Sequence, residues 1–150
     1  MNNIAVNKKA SFDYNINEKY EAGIVLTGAE VKSLRVQTGS IKESFISEKN
    51  GELWLSNCHI SKYAGSLDKN YNPTKERKIL VNRKEMNKII GLSKKGGMTI
   101  IPLNLYFNKK GIVKMTIGLG IGKKKYDKRA DIKAKEWKIN KQRLEKNKNF

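Results

Sequence analysis

Residues 113–122 carry the pattern that most restricts how this chain can fold. Apolar side chains occupy every second position, and Lys114, Thr116 and three glycines fill the positions between them. A period of two is typical of a β-strand that turns one face to a core. Alternate glycines within a strand predict tight curvature or the close approach of a second backbone. The apolar positions are Val113, Met115, Ile117, Leu119 and Ile121.

Turn signals predict two β-hairpins. The Asn50-Gly51 pair separates residues 45–48 from residues 52–58, and both members of the pair tolerate a positive φ. A second hairpin joins residues 98–107 to residues 112–122 through an Asn-Lys-Lys-Gly sequence. A further strand shares one apolar face among Tyr20, Ala22, Ile24 and Leu26.

Two short helices complete the pattern. One begins at Gly28 and turns Val31 and Leu34 inward, with polar positions at Glu30, Lys32 and Arg35. The other covers residues 82–94, with Met86, Ile89 and Ile90 inward. Several short antiparallel strands with a few helices predict a mainly β fold, a small closed or nearly closed antiparallel barrel.

Charge divides the chain near Gly122. The whole chain carries 32 basic and 14 acidic side chains, a net charge of +18. Residues 1–122 hold 20 basic and 10 acidic groups, whereas residues 123–150 hold 12 and 4 in only 28 residues and lack strand patterning, proline and glycine. We therefore predict a barrel domain over residues 1–122 and a basic tail over residues 123–150. A polyanion, first of all nucleic acid, is the expected partner.

The tail has no wide apolar face when drawn as a helix, so it cannot dock firmly on its own barrel. We expect it to be largely disordered alone and to become helical against a charged partner. Tyr126 and Trp137 are able to stack on exposed bases, and Lys128 and Arg129 suit phosphates. The alternative is an ordinary solubilising basic tail.

Other basic residues group around the sequence ILVN and in the last hairpin. Their collective excess favours a nucleic-acid surface, while each one alone is equally typical of solvated surface lysine. The group near ILVN comprises Lys75, Arg77, Lys78, Arg83 and Lys84.

Catalytic and metal chemistry find little support. Cys58 stands alone, which excludes an internal disulfide, and is interpreted as a small core residue. His59 is the single histidine and is interpreted as a hydrogen-bonded structural residue. We expect no cofactor and no metal. The absence of a long apolar run and of a secretory leader favours a cytoplasmic protein without membrane attachment.

Several motifs in sequence order resemble the small protein B family, the SsrA-binding proteins of bacterial trans-translation. They are YEAGI, GAEVKSLR, CHISKY, NPTKERKILVNRKE, IPLNLY and GKKKYDKRADIK, and the resemblance as a whole spans residues 7 to about 138. The resemblance implies an oligonucleotide-binding barrel with helices around it. It also implies a monomeric, non-enzymatic adaptor that binds the tRNA-like domain of tmRNA and carries it to stalled ribosomes.

The resemblance further implies roles for individual residues. Contacts to tmRNA fall on Glu21, Leu80, Asn82 and Lys114. The tail, which becomes helical in the decoding centre and the empty mRNA channel, carries its determinants on Gly122, Lys123, Lys124, Asp127, Lys128, Arg129, Ile132 and Trp137, with Tyr126 where some relatives have His.

Residue type alone leaves other roles open for the barrel positions. Without the resemblance, we would interpret Glu21 as a surface carboxylate paired with a lysine, Leu80 as a core residue and Asn82 as a helix cap. At the level of the whole protein, the alternatives are a structural ribosomal protein that threads rRNA and, less well supported, a nuclease built on a small barrel.

Overall fold

The elements of the chain are defined by a computed structural model that describes residues 2–36, 39–123, 129, 132–133 and 135–141. In chain order they are β1 Asn2–Val6, α1 Ala10–Asp13, β2 Tyr14–Ile24, α2 Gly28–Arg35, β3 Gly39–Ser40, β4 Phe45–Lys49, β5 Glu52–Ser56, β6 His59–Ile60, β7 Arg77–Leu80, α3 Arg83–Lys95, β8 Thr99–Phe107 and β9 Val113–Gly122.

One antiparallel sheet of seven strands contains most of the chain, in the order β1-β8-β9-β2-β7-β5-β4. A separate pair, β3 with β6, forms a second small sheet. The large sheet curls until parts of β4 and β8 lie within 8 Å of each other, Cα to Cα. The mainly β, antiparallel architecture expected from the sequence is therefore confirmed.

The glycines of β9 let the sheet curl this tightly. A Cβ added to Gly120 would lie 2.6 Å from the carbonyl oxygen of Asn15 on β2, a distance that real Cβ atoms do not tolerate. The pairing of β2 with β9 also shifts register between Ile16 and Glu18, as a strand does at a bulge. The predicted close approach of a second backbone is confirmed at Gly120.

The apolar alternation of β9 faces the core as predicted, except at its end. Val113, Met115, Ile117 and Leu119 are all buried, whereas Ile121 keeps 48% of its surface exposed. Ile121 lies one residue before the strand ends. Including it in the inward set was therefore wrong, because the barrel wall no longer covers that position.

Local signals account for the predicted hairpins and helices. Asn50 and Gly51 both adopt positive φ, 55° and 77°, in the turn between β4 and β5. Thr27 forms a capping box with Glu30 at the start of α2. Asn82 accepts a hydrogen bond from the Glu85 amide at 2.8 Å and so caps α3.

The sequence interpretation was wrong for Glu30 and Arg77. Glu30, expected on the polar side of α2, is 1% exposed, and Arg77, grouped with the surface basic residues, is 2% exposed. The Arg77 Nε donates to Glu30 Oε2 at 2.6 Å, and its Nη1 donates to the Cys58 carbonyl at 2.7 Å. Arg77 is thus a structural residue that ties the start of β7 to α2 and to the segment between β5 and β6.

The surroundings of Glu30 keep its carboxyl ionised. Burial raises the pKa of Glu30, but the hydrogen bond from the Thr27 amide and the Arg77 guanidinium outweigh burial and hold the pKa below its usual range. Arg77 Nη2 also donates to the Pro73 carbonyl at 3.0 Å and to the Tyr71 hydroxyl at 3.2 Å. The buried charges are therefore paired and hydrogen-bonded, as buried ions must be.

Candidate nucleic-acid interface

Strand register arranges a row of side chains across the outer face of the sheet. Gly23 on β2 lies opposite Leu80 on β7 and opposite Lys114 on β9, and Lys114 lies opposite Tyr106 on β8. Directly opposed residues of antiparallel strands point to the same side of a sheet. Since the neighbouring Met115 is fully buried, this row faces away from the core.

Glu21 belongs to the same face. It lies two residues before Gly23, on the strand between β7 and β9, and opposite Thr116. The structure therefore brings three of the residues implied by the resemblance, Glu21, Leu80 and Lys114, onto one surface. We call the surface formed by Glu21, Gly23, Leu80 and Lys114 the barrel face.

Leu80 is exposed over 47% of its surface, which excludes the core role that its residue type suggests. The lack of a side chain at Gly23 leaves open space beside it. A Cβ at Gly23 would lie 3.4 Å from Leu80 Cβ, so even an alanine would fill that space. An exposed leucine next to a glycine presents a small apolar platform to a partner.

Asn82 follows two residues after Leu80 and is also exposed. Its side-chain oxygen is engaged as the cap of α3, so the structural role weighed from the sequence is confirmed. Its amide nitrogen makes no hydrogen bond within the described ranges. Capping and a partner contact are therefore compatible at this position.

Glu21 and Lys114 supply charge of opposite sign to the barrel face. The Tyr106 hydroxyl donates a 2.6 Å hydrogen bond to Glu21 Oε2. Burial and this hydrogen bond raise the pKa of Tyr106 to about 12. Lys114 is half-buried and takes no part in the ion pairs recorded among the described residues, so its ammonium remains available for a phosphate.

The basic group near ILVN is divided by the fold. Lys78 pairs with Glu52 at 2.9 Å, and Lys75 approaches Glu30 at 3.4 Å. Arg83 and Lys84, in the first turn of α3, are exposed beside Asn82. With Arg77 buried, Arg83 and Lys84 are the members of this group that extend the positive charge of the barrel face.

The tail leaves the barrel from a defined point. Gly122 ends β9 opposite Tyr14, and the Lys123 amide donates to the Asp13 carbonyl at 2.8 Å. Beyond it, Arg129, Ile132 and Trp137 are exposed and have helical backbone. The predicted tail residues Lys124, Tyr126, Asp127 and Lys128 lie outside the described residues.

Trp137 carries the largest apolar side chain of the tail and is 66% exposed. Lys141, one helical turn further on, places its Nζ 5.3 Å from the Trp137 ring centroid. Every described residue from 129 onward is exposed, in agreement with a tail that does not dock on the barrel. The expectation that the tail becomes helical only on a partner stays a prediction.

Comparison with known proteins places the chain in a family. The SmpB protein family matches residues 4–147. The chain belongs to the SmpB family. The SsrA-binding protein of Wolbachia pipientis subsp. Culex pipiens is 50% identical over 144 residues, covering 96% of this chain and 97% of that protein. The SsrA-binding protein of Ehrlichia ruminantium (strain Gardel) is also 50% identical over the same shares.

A solved structure agrees with this assignment. The chain resembles one described as "tmRNA-SmpB: a journey to the center of the bacterial ribosome", with 41% identity and a TM-score of 0.64, over 80% of this chain and 84% of that one. The family recognised from sequence motifs is thereby confirmed, together with the fold class of SmpB proteins.

Sequence reasoning missed Tyr106 of this SmpB-family chain. Its position within IPLNLYF predicts only that it belongs to a strand. The alternation pattern does not reveal that its hydroxyl contacts a carboxylate two strands away. Only the register of β8, β9 and β2 brings Tyr106 and Glu21 together. The one available signal was a tyrosine on the polar side of a strand.

The remaining sequence interpretations concern reactive groups. Cys58 is fully buried as predicted, and burial raises the pKa of its thiol to about 11, so it remains a neutral thiol. His59 is exposed and its side chain makes no hydrogen bond within the described ranges, so the structural role expected for it was wrong. No cluster of metal-ligating side chains occurs among the described residues.

Membrane insertion receives no support from the helices. Within the described ranges, every helix falls short of the length and hydrophobicity that a bilayer crossing requires.

Proposed function

We propose that this chain is an SsrA-binding protein: it binds tmRNA, the RNA that acts as both transfer and messenger RNA, and delivers it to stalled ribosomes for trans-translation. The observation that carries this proposal is 50% identity to SsrA-binding proteins over 96% of the chain. The chain acts as a non-enzymatic adaptor in the cytoplasm, where ribosomes are found. Its net charge of +18 supports an RNA partner.

The barrel face binds the tRNA-like domain of tmRNA. Leu80 offers an apolar platform, Lys114 a cation for phosphate, and Glu21 an acceptor for base or ribose donors. The rigid sheet supports this role, because strand pairing holds these side chains in place before the RNA arrives. Little conformational entropy then has to be lost on binding.

The tail, residues 123–150, recognises the ribosome. Its determinants, together with Gly122 at the end of β9, are Lys123, Lys124, Tyr126, Asp127, Lys128, Arg129, Ile132 and Trp137. A basic segment with one exposed tryptophan suits the anionic decoding centre and the mRNA channel, which are open to it only when mRNA is absent. The exposure of Arg129, Ile132 and Trp137 supports this role, because no described part of the barrel competes for them.

The test is capture of RNA by the full-length protein from a bacterial lysate, followed by sequencing, combined with a peptide-tagging assay on ribosomes stalled at the end of a truncated message. We expect strong enrichment of tmRNA over rRNA and tagging that depends on the protein. Enrichment of total rRNA, together with retention on subunits after a high-salt wash, would instead identify a structural ribosomal protein.

Electrostatics contributes a second measurement. Lysine and arginine contacts to phosphates release counterions, so the affinity for tmRNA should fall steeply as salt rises from about 50 to about 200 mM. An affinity that stays flat over this range would remove phosphate contacts from the account of binding.

A further inference from the structure

We infer that Tyr106 is a positioning residue for RNA recognition, which acts by holding the Glu21 carboxylate in one orientation on the barrel face. This inference rests on the proposed function and names a residue that the family resemblance does not assign. It concerns the specificity of the contact with RNA, rather than the electrostatic part of the affinity.

The contact between the two residues spans three strands. Tyr106 starts from β8, opposite Lys114, while Glu21 starts from β2, opposite Thr116, and β9 runs between them. To place its hydroxyl 2.6 Å from Glu21 Oε2, the Tyr106 side chain has to lie across β9 between Lys114 and Thr116. It therefore forms part of the floor of the barrel face.

The Tyr106 and Glu21 side chains differ greatly in conformational freedom. Tyr106 is only 3% exposed, so packing holds its ring, and a tyrosine has few rotatable bonds to lose. Glu21 is exposed, and a free glutamate on a surface samples many rotamers. A hydrogen bond of 2.6 Å from a hydroxyl to a carboxylate is in the short, charge-assisted class. The ordered tyrosine thus orders the glutamate.

Ordering one oxygen of Glu21 leaves the other available. Within the described ranges, Tyr106 is the one hydrogen-bond partner recorded for the Glu21 side chain, and Oε1 is unoccupied by any protein donor. An ionised carboxylate accepts hydrogen bonds only. The chemistry it selects is therefore the donor groups of RNA, namely base amino and imino groups and the ribose 2′-hydroxyl.

The sign of the charge explains why such positioning matters. A carboxylate repels the phosphates of RNA, so a Glu21 that is wrongly oriented lowers affinity. When Tyr106 holds the Glu21 carboxylate toward the bound RNA, Glu21 offsets that repulsion by accepting hydrogen bonds. Only a correctly placed base or ribose supplies those hydrogen bonds. Removing the orientation should therefore reduce binding to the tRNA-like domain more than binding to arbitrary RNA.

The experiment compares full-length Tyr106→Phe, Glu21→Ala and the double variant by fluorescence anisotropy. The probe is the labelled tRNA-like domain of tmRNA, and an unstructured RNA of equal length serves as competitor. Loss of one hydrogen bond to a charged group predicts an affinity for the tRNA-like domain about tenfold lower in Tyr106→Phe. In the Glu21→Ala background, Tyr106→Phe should cause no further loss, because the partner it orients is already gone.

Tyr20→Phe is the matched control. Tyr20 also donates its hydroxyl to a carboxylate, that of Glu18 on the same strand. It lies opposite Ile117 and is out of phase with Glu21 along β2, so it belongs to the other side of the sheet. Removing this hydroxyl should leave affinity for the tRNA-like domain within about twofold of that of the unmodified protein.

Three results would overturn the inference while leaving the proposed function intact. These are wild-type affinity in Tyr106→Phe, additive losses in the double variant, or loss of the fold in Tyr106→Phe as judged by circular dichroism. Glu21→Asp gives an independent check, because it keeps the charge but withdraws the carboxylate from the tyrosine by one methylene. Undiminished binding by this variant would also count against positioning.

A different result would overturn the proposed function itself. If the unmodified protein binds the tRNA-like domain no better than the unstructured competitor, tmRNA recognition itself is wrong and the inference is overturned with it. Selective binding by the unmodified protein that is insensitive to Tyr106→Phe overturns the inference alone.

Discussion

Leu80 and Trp137 are both large apolar side chains left exposed, over 47% and 66% of their surfaces, yet their surroundings differ. Leu80 belongs to a strand paired on both sides, beside the open space at Gly23. The ring contact recorded for Trp137 is with Lys141 of its own helix. The barrel face is therefore held by strand pairing within the fold, whereas the described tail residues make no comparable contact with the barrel and we expect a partner to fix their position.

This difference has a thermodynamic consequence. A surface held by strand pairing loses little entropy when it binds, so its affinity reflects its contacts. A segment that must be ordered by its partner loses part of its interaction energy in the process and responds strongly to the partner's shape. Tight RNA binding suits the first behaviour, and detection of an empty channel suits the second.

The largest expected effect comes from separating the two regions. Truncation after Lys124 should leave affinity for tmRNA within about threefold, since the barrel face is untouched, and should abolish peptide tagging on stalled ribosomes. Anisotropy and a tagging assay measure the two properties side by side. Tagging that survives this truncation would contradict the division of labour between barrel and tail.

The next largest effect concerns the free energy of unfolding of the barrel. Arg77→Met removes the one fully buried cation that pairs with Glu30 within the described ranges and should lower the free energy of unfolding by about 3–5 kcal/mol. The matched control is Lys78→Met, the adjacent residue, which pairs with Glu52 at a partly exposed site and should cost less than about 1 kcal/mol. Urea unfolding distinguishes them, and equal losses would show that burial of the Arg77 pair is unimportant.

A smaller effect separates binding from stability within one strand. Leu80→Ala should weaken tmRNA binding about tenfold while leaving the free energy of unfolding within about 1 kcal/mol, because the side chain is half exposed. Its neighbour Ile79 is fully buried, so Ile79→Ala should destabilise by about 2–5 kcal/mol. If Leu80→Ala destabilises as much as Ile79→Ala, Leu80 serves the core after all.

The smallest effect is a titration. The pKa of Tyr106 is raised to about 12 from its ordinary value of 10.0, so the folded protein holds this proton more tightly than the unfolded chain. The stabilisation it provides is complete below pH 10 and is lost as the pH rises from 10 toward 12. The stability difference between the unmodified protein and Tyr106→Phe should therefore shrink over that range.

Ultraviolet absorbance of the phenolate provides the corresponding check. Glu21→Gln removes the negative charge next to the hydroxyl, so the Tyr106 transition should move down toward the ordinary tyrosine value. A transition that stays in place would mean that burial alone, without the carboxylate, raises the pKa of Tyr106.

Features encoded in a few neighbouring residues were predictable from the sequence. Asn50-Gly51 specifies its hairpin because both residues accept positive φ, and Asn82 precedes its helix because its side chain replaces a missing backbone partner. The alternate glycines of β9 predict the close approach of a second backbone, although they do not specify that the partner is β2. Each of these depends on conformational preferences that a residue carries with it.

Tertiary structure alone decided the features that depend on distant partners. Nothing near Arg77 marks it as buried rather than as one more surface cation, since the carboxylate that pairs with it is 47 residues away. Glu21 and Tyr106 are 85 residues apart in the chain and meet only because β9 aligns the two strands that carry them. Local preference selects helices, turns and strands, but register across a curled sheet selects which side chains share a surface.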